Sequence, residues 1–246
     1  FSSCMILPDL PADYPRIKRV NSFEELLATP MIDGINALYW PRELPGDFTE
    51  VLAALRARHD GLGETGIGGL DEARLRALTV GPAGRAAVDF MLADLGRLRE
   101  QGLAPELNLI RAYPREEEPG IVPVDVYSFH ADSAPVQADT WLCTYHGASS
   151  EGLRNDEARR RVDVPETRAK LLSLFGGGEG GGFEEFLREN CYDLHYAPSP
   201  DAPPFSFGLG HLWRIATDWP GSPVPPCVHR APENLPGHPA RLLLIS

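Results

Sequence analysis

VDVYSFHADSAPVQADTWLCTYH (residues 124–146) reads as a strand, a polar turn and a second strand, with His130 and Asp132 closing the first. In an extended segment, residues i and i+2 point to one face. One imidazole and one carboxylate are therefore aimed at a common point from a rigid scaffold. A second imidazole would complete a set of two histidines and one carboxylate, which holds a metal from one side and leaves positions open for small molecules. Three histidines compete for that place. His229 lies in PPCVHRAP behind Pro225 and Pro226, His211 lies in GLGHLWR before an apolar run, and His195 lies in DLHYAP. His146, at the end of TWLCTYH, reads as a polar rim residue. The plain alternative for His130 and Asp132 is a surface turn in which the aspartate caps the backbone that follows it.

Two arginines bear on the same site. Arg241 opens RLLLIS, whose apolar run predicts a strand buried on at least one face. A buried guanidinium needs an anion, and a carboxylate matches its fork. That carboxylate is either an internal acid or the end of a ligand, and Arg230 is the alternative anchor. Cys227, two residues before His229, shares its face in an extended segment and reads as a small buried filler.

At 246 residues and 43% apolar content, the chain is long enough for one domain with a sizeable core. Its 23 basic against 35 acidic residues give a net charge of −12. Such a balance carries no general attraction for nucleic-acid backbones or anionic membranes. No apolar run reaches the length of a membrane span. FSSCMILPDLPADYPRIKRV lacks the basic start and apolar core of a secretion signal, and opening on Phe1 leaves room for an upstream piece. Cys4, Cys143, Cys191 and Cys227 are dispersed, with no CxxC pair, and read as reduced thiols of a cytoplasmic protein.

Working outward, SFEELLAT is a short helix with Ser22 and Glu25 placed as a capping box. INALYW is a buried strand stopped by Pro41. DFTEVLAALRARHD (47–60) spaces Phe48, Val51, Leu52 and Leu55 on one helical face, with Asp47 or Thr49 as cap. After the glycine-rich GLGETGIGG, residues 71–101 predict two helices divided at GPAG, with Val88, Met91, Leu92, Leu95 and Leu98 as a packing face. LNLIRAY alternates as a strand, and PREEEPG is a charged loop. GASSEGLRNDEARRRVDVP reads as a solvated face, including Arg159 to Arg161. VPETRAKLLSLF and GFEEFLREN are helices joined by GGGEGGG (176–182), a flexible linker, not a phosphate loop, since no Gly-Lys-Ser/Thr follows. LWRIAT, PVPPCVH and ARLLLIS complete a C-terminal sheet. Tyr127, Trp141, Tyr145 and Trp213 are expected as ordinary filling between sheets.

His130, Asp132, His229 and Arg241, in that order, resemble the iron(II)/2-oxoglutarate dioxygenase superfamily. FHADSAPVQADTWLCTYHGASSEGL, WPGSPVPPCVHRAPENLPG and RLLLIS are similar to an uncharacterised bacterial family, catalogued as domain of unknown function 1826. The likeness covers about residues 111–246. It implies an α+β chain with a double-stranded β-helix (jelly-roll, cupin-like) core over 106–246, a helical insert at about 164–190, and a mainly helical buttress over 1–105, all one domain. It also implies His130, Asp132 and His229 as ligands of Fe(II), and Arg241 as the anchor of 2-oxoglutarate. The activity it implies is a cytoplasmic dioxygenase or hydroxylase acting with O2 on a small-molecule substrate. Two readings stand beside it: a cupin-like metalloenzyme that does not use 2-oxoglutarate, and a non-catalytic β-helix protein that binds a ligand.

Overall fold

The computed structural model describes residues 8–57, 66–115, 118, 120–233 and 237–246. Chain order is β1 (Ile17–Arg19), α1 (Phe23–Ala28), β2 (Ala37–Trp40), α2 (Phe48–Ala57), β3 (Ile67–Gly69), α3 (Glu72–Arg76), α4 (Pro82–Glu100), β4 (Glu106–Ile110) and β5 (Asp139–His146). There follow β6 (Glu151–Gly152), β7 (Ala158–Arg160), α5 (Pro165–Phe175), α6 (Gly181–Glu189), β8 (Tyr196–Pro198), β9 (Phe205–Ser206), β10 (Leu212–Ala216), β11 (His229–Arg230) and β12 (Arg241–Ile245). The architecture is α+β.

The large sheet runs β1-β2-β10-β5-β12-β4-β3, antiparallel except for β1 against β2. Its faces follow the period-two alternation of the strands. Leu107, Leu109, Trp141, Cys143, Tyr145, Leu242 and Leu244 pack on the helical side, with Val51, Leu55, Val88, Met91, Leu95 and Leu98 of α2 and α4. The helices bury the faces their spacing predicts, and Asp47 caps α2 by accepting from the N–H groups of Thr49 and Glu50. The first 105 residues are more than a buttress. They supply three strands of this sheet, β1 and β2 at one edge and β3 at the other.

A second sheet, β11-β6-β9, covers the other face. Phe205, Phe207 and Cys227 meet Tyr39, Leu142, Trp213 and Ile215 of the large sheet there. Residues 129–131 extend it. His130 exchanges both backbone hydrogen bonds with His229, at 2.9 Å each, and Ala131 N–H donates to the Leu194 carbonyl at 2.9 Å. Beyond His195, the paired strands β7 and β8 continue the ribbon. The spatial order is therefore β7, β8, residues 129–131, β11, β6, β9.

One expectation fails here. Residues 124–128 do not form a strand. Asp125 Oδ1 accepts from the N–H groups of Tyr127 and Ser128, both at 3.0 Å, and folds the segment into a turn. Aspartate offers the backbone this local alternative to a ladder. The polar stretch 147–164 is also more than a solvated face, because it supplies β6 and β7 and buries Ser150, Leu153 and Val162.

Candidate metal centre

Three side chains converge between the sheets. His130 Nε2 lies 3.8 Å from Asp132 Oδ1, and His229 Nε2 lies 3.6 Å from Asp132 Oδ2. One ligand atom from each falls within 4.8 Å of the others. The ladder causes this: directly opposed residues of an antiparallel pair share a face, so pairing His130 with His229 sets their rings 4.6 Å apart. Asp132 then follows His130 on that face.

The imidazoles are oriented for metal. His130 Nδ1 is 2.8 Å from the Ser128 carbonyl and His229 Nδ1 is 3.3 Å from the Cys227 carbonyl. A carbonyl only accepts, so each Nδ1 carries the proton and each Nε2 presents its lone pair to the group. This is the outer-shell arrangement that fixes tautomer and ring direction in metal sites. Thr140 Oγ1 donates to Asp132 Oδ2 at 2.5 Å and holds the carboxylate. Burial, helped by the neighbouring His229, pushes the His130 imidazole down to about 4. Burial alone would raise Asp132, but the two imidazoles and the Thr140 hydroxyl outweigh it and hold the carboxyl below its usual range. Neutral imidazoles and an ionised carboxylate are the forms a metal needs. The group fits a divalent cation.

A cavity of about 330 Å3 opens over this group, with Arg241, Tyr113, Asn108 and Leu243 also in its wall. Arg241 is only 7% exposed. Its Nε donates to the Ala148 carbonyl at 2.7 Å, Nη2 to Ser150 Oγ at 3.0 Å and Nη1 to the Tyr113 hydroxyl at 3.4 Å. Among the described residues no carboxylate lies within ion-pair distance of it. Burial accordingly holds the guanidinium below its usual range. Arg230 is different: Nε donates to Glu151 Oε2 at 2.8 Å, and the guanidinium lies 4.5 Å over the Phe129 ring.

The rival histidines go elsewhere. His211 is buried, and its Nδ1 accepts from the Arg42 N–H at 3.2 Å, away from the cavity. His146 Nδ1 donates to the Ala240 carbonyl at 3.1 Å. His195 stands beside His130, ring centroids 5.7 Å apart, but outside the ligand group. Cys227 is the buried filler expected of it. Trp141 and Tyr145 pack on the helical side, and Trp213 stacks on Phe207. Sequence reading missed Tyr113, Ser150 and Thr140, and nothing in their neighbourhoods marks them.

Burial, helped by the Arg161 charge, pushes His195 down from 6.5 to about 4. Between these values the unfolded metal-free chain binds the proton that the folded chain refuses. Stability should be complete above pH 6.5 and fall as pH drops toward 4, by on the order of 3 kcal/mol for this imidazole. Urea midpoints across that window measure the slope. His195→Asn should reduce it and leave the share of His130, which titrates over the same window, and an unchanged slope would exclude His195 as a source.

Fold and site together define an α+β protein with a buried two-histidine, one-carboxylate group that is able to hold a metal ion. No family model, no curated protein and no solved structure matches the chain. No helix among the described residues is long and apolar enough to cross a membrane.

Proposed function

We propose that the chain is an iron(II)- and 2-oxoglutarate-dependent oxygenase acting on a small molecule, built on a double-stranded β-helix core. Two features of the fold support that core. The large sheet sets β10, β5, β12 and β4 side by side, and the facing sheet sets residues 129–131, β11, β6 and β9 side by side. Chain order thus alternates between the sheets as a β-helix winds, except that β6 and β9 both lie in the facing sheet. The observation that carries the function is Arg241, a buried guanidinium without a carboxylate partner among the described residues, in the wall of the cavity that holds the ligand group.

His130, Asp132 and His229 would hold the iron, and two imidazoles with one carboxylate suit Fe(II) while leaving positions open. With iron(II) and 2-oxoglutarate in place, the chemistry supplied is oxygenation coupled to decarboxylation: O2 and 2-oxoglutarate give succinate and CO2, and one oxygen atom passes to the substrate. Arg241 binds the distal carboxylate, steadied by Ser150 and Tyr113. Asn108, Leu142, Leu243 and Ile245 line the remaining space, where apolar walls exclude water. Thr140 keeps Asp132 ionised and in place.

Anaerobic iron(II) titration, with and without 2-oxoglutarate, tests the proposal. A visible charge-transfer band is expected only when both are present. Metal binding with no band and no affinity for 2-oxoglutarate would leave the cupin-like metalloenzyme. Failure to bind metal, or metal retained by a folded His130→Ala, Asp132→Ala double variant, would leave the non-catalytic reading.

A further inference from the structure

The ribbon that carries the metal ligands continues past them. Register along β7 and β8 pairs Arg160 with Tyr196, and one step on, Arg161 N–H donates to the His195 carbonyl at 2.8 Å. Arg161 opens a 3-10 turn there, and this hydrogen bond sets it beside His195, while His195 stands opposite His130 and His130 opposite His229. Directly opposed residues share a face with Cβ atoms about 5 Å apart. His195, His130 and His229 thus form a row with Arg161 at its end, and of these four basic side chains only His130 and His229 belong to the metal group.

Arg161 and His195 each keep an unpartnered nitrogen. His195 is 5% exposed, yet its Nδ1 has no hydrogen-bond partner. Arg161 Nε is also buried and unpartnered, and no carboxylate lies within ion-pair distance of its guanidinium among the described residues. Its neighbours in the triple arginine are engaged: Arg159 donates to the Asp163 carbonyl and Arg160 to the Asp193 carbonyl. Ser128 Oγ, two residues before His130, is a third buried polar atom without a partner. The nearby Asp125 carboxylate already accepts from the N–H groups of Tyr127 and Ser128. Folded proteins leave few buried polar atoms unpartnered, and donors grouped around a guanidinium suit an oxyanion.

We propose that Arg161 and His195, with the Ser128 hydroxyl, form an oxyanion site that takes the carboxylate or phosphate of the substrate. It flanks His130 on the side opposite β6, where Ser150 meets Arg241. Assigning the oxyanion to a substrate rests on the oxygenase reading, whereas the site itself rests on its own three residues. The substrate class is then an anionic small molecule, held one strand away from the metal ligand nearest to it.

Calorimetric titration of the full-length chain with inorganic phosphate and with acetate tests this, and the anion that binds identifies the source. Wild type and Arg159→Gln, which removes a neighbouring charge engaged elsewhere, should bind that anion equally. Arg161→Gln should bind it about 10-fold more weakly or worse, with part recovered in Arg161→Lys, while 2-oxoglutarate binding stays unchanged. Binding of neither anion to wild type, equal binding by Arg161→Gln, or the same loss in Arg159→Gln overturns the proposal. Anion binding that persists where iron and 2-oxoglutarate give no band keeps this site and removes the oxygenase. Should Arg161→Gln fail to fold, wild type carries the test alone. The His195 ring 15N resonances, assigned by their absence from His195→Asn, must move when the anion is added, and unmoved resonances overturn the proposal.

Discussion

Asp94→Ala is expected to lower the free energy of unfolding by about 3–5 kcal/mol. Asp94 lies on α4 at 0% exposure and accepts from Arg42 Nη1 at 2.6 Å, Arg97 Nη1 at 2.9 Å and the Tyr145 hydroxyl at 2.8 Å. Arg42, just beyond β2, also donates to the Gly210 carbonyl at 2.9 Å and lies 4.9 Å over Trp40 and 4.7 Å over Phe90. The network ties the helical layer to the large sheet on the face away from the cavity. Alanine would strand the Arg42 charge in a dry interior, and that uncompensated charge, not the lost pair, is the source of the cost. The double variant Asp94→Leu, Arg42→Met should regain most of it, since apolar residues of similar volume often replace buried ion pairs without loss. Urea unfolding followed by tryptophan fluorescence reads both. A loss below about 1 kcal/mol in the single variant would contradict this account of the core.

What the sequence made legible depended on length and period. The helices from α1 to α6, and strands β4, β5, β10 and β12, carry enough residues for an apolar spacing to emerge. Even there the detail shifts. Ser22 Oγ caps α1 by accepting from Glu25 N–H, but the Glu25 carboxylate reaches back to the Asn21 N–H instead of completing the box with Ser22. Strand β3 hides in a glycine-rich run, and β6, β7, β8 and β9 are two or three residues long, too short for any alternation. Their pairing comes from neighbours that are remote in sequence. The segment before His130 misleads for the opposite reason: it alternates like a strand, and the Asp125 turn overrides the pattern.

The metal group was legible because two of its members are two residues apart and the third follows in a recognisable order. The setting of Arg241 was not. Ala148, Ser150 and Tyr113 meet it only after β12 has docked between β4 and β5, and none of them stands out in sequence. Likewise, nothing in the sequence pairs Glu151 with Arg230, which it engages through the pairing of β6 with β11.

Arg241→Ala is expected to leave metal affinity nearly intact and to weaken 2-oxoglutarate binding roughly 30-fold or more, the effect of losing a charge-assisted contact worth on the order of 2–5 kcal/mol. The metal should stay because Arg241 touches none of His130, Asp132 or His229; its partners are Ala148, Ser150 and Tyr113. Those partners also make the loss specific. A backbone carbonyl and two hydroxyls orient the guanidinium without neutralising it, so its charge remains available to a ligand carboxylate. Arg241→Lys should recover only part of the affinity, because a point charge cannot reproduce the fork. Folding should suffer less than binding, since removing a buried charge that lacks a counter-ion also removes its desolvation cost. Titration of 2-oxoglutarate into the iron(II)-loaded variants under anaerobic conditions, paired with urea unfolding, separates the two roles. A drop in stability with unchanged affinity would make Arg241 a structural residue. A binding defect in Arg230→Ala, absent from Arg241→Ala, would move the anchor to Arg230 and leave the metal group as it stands.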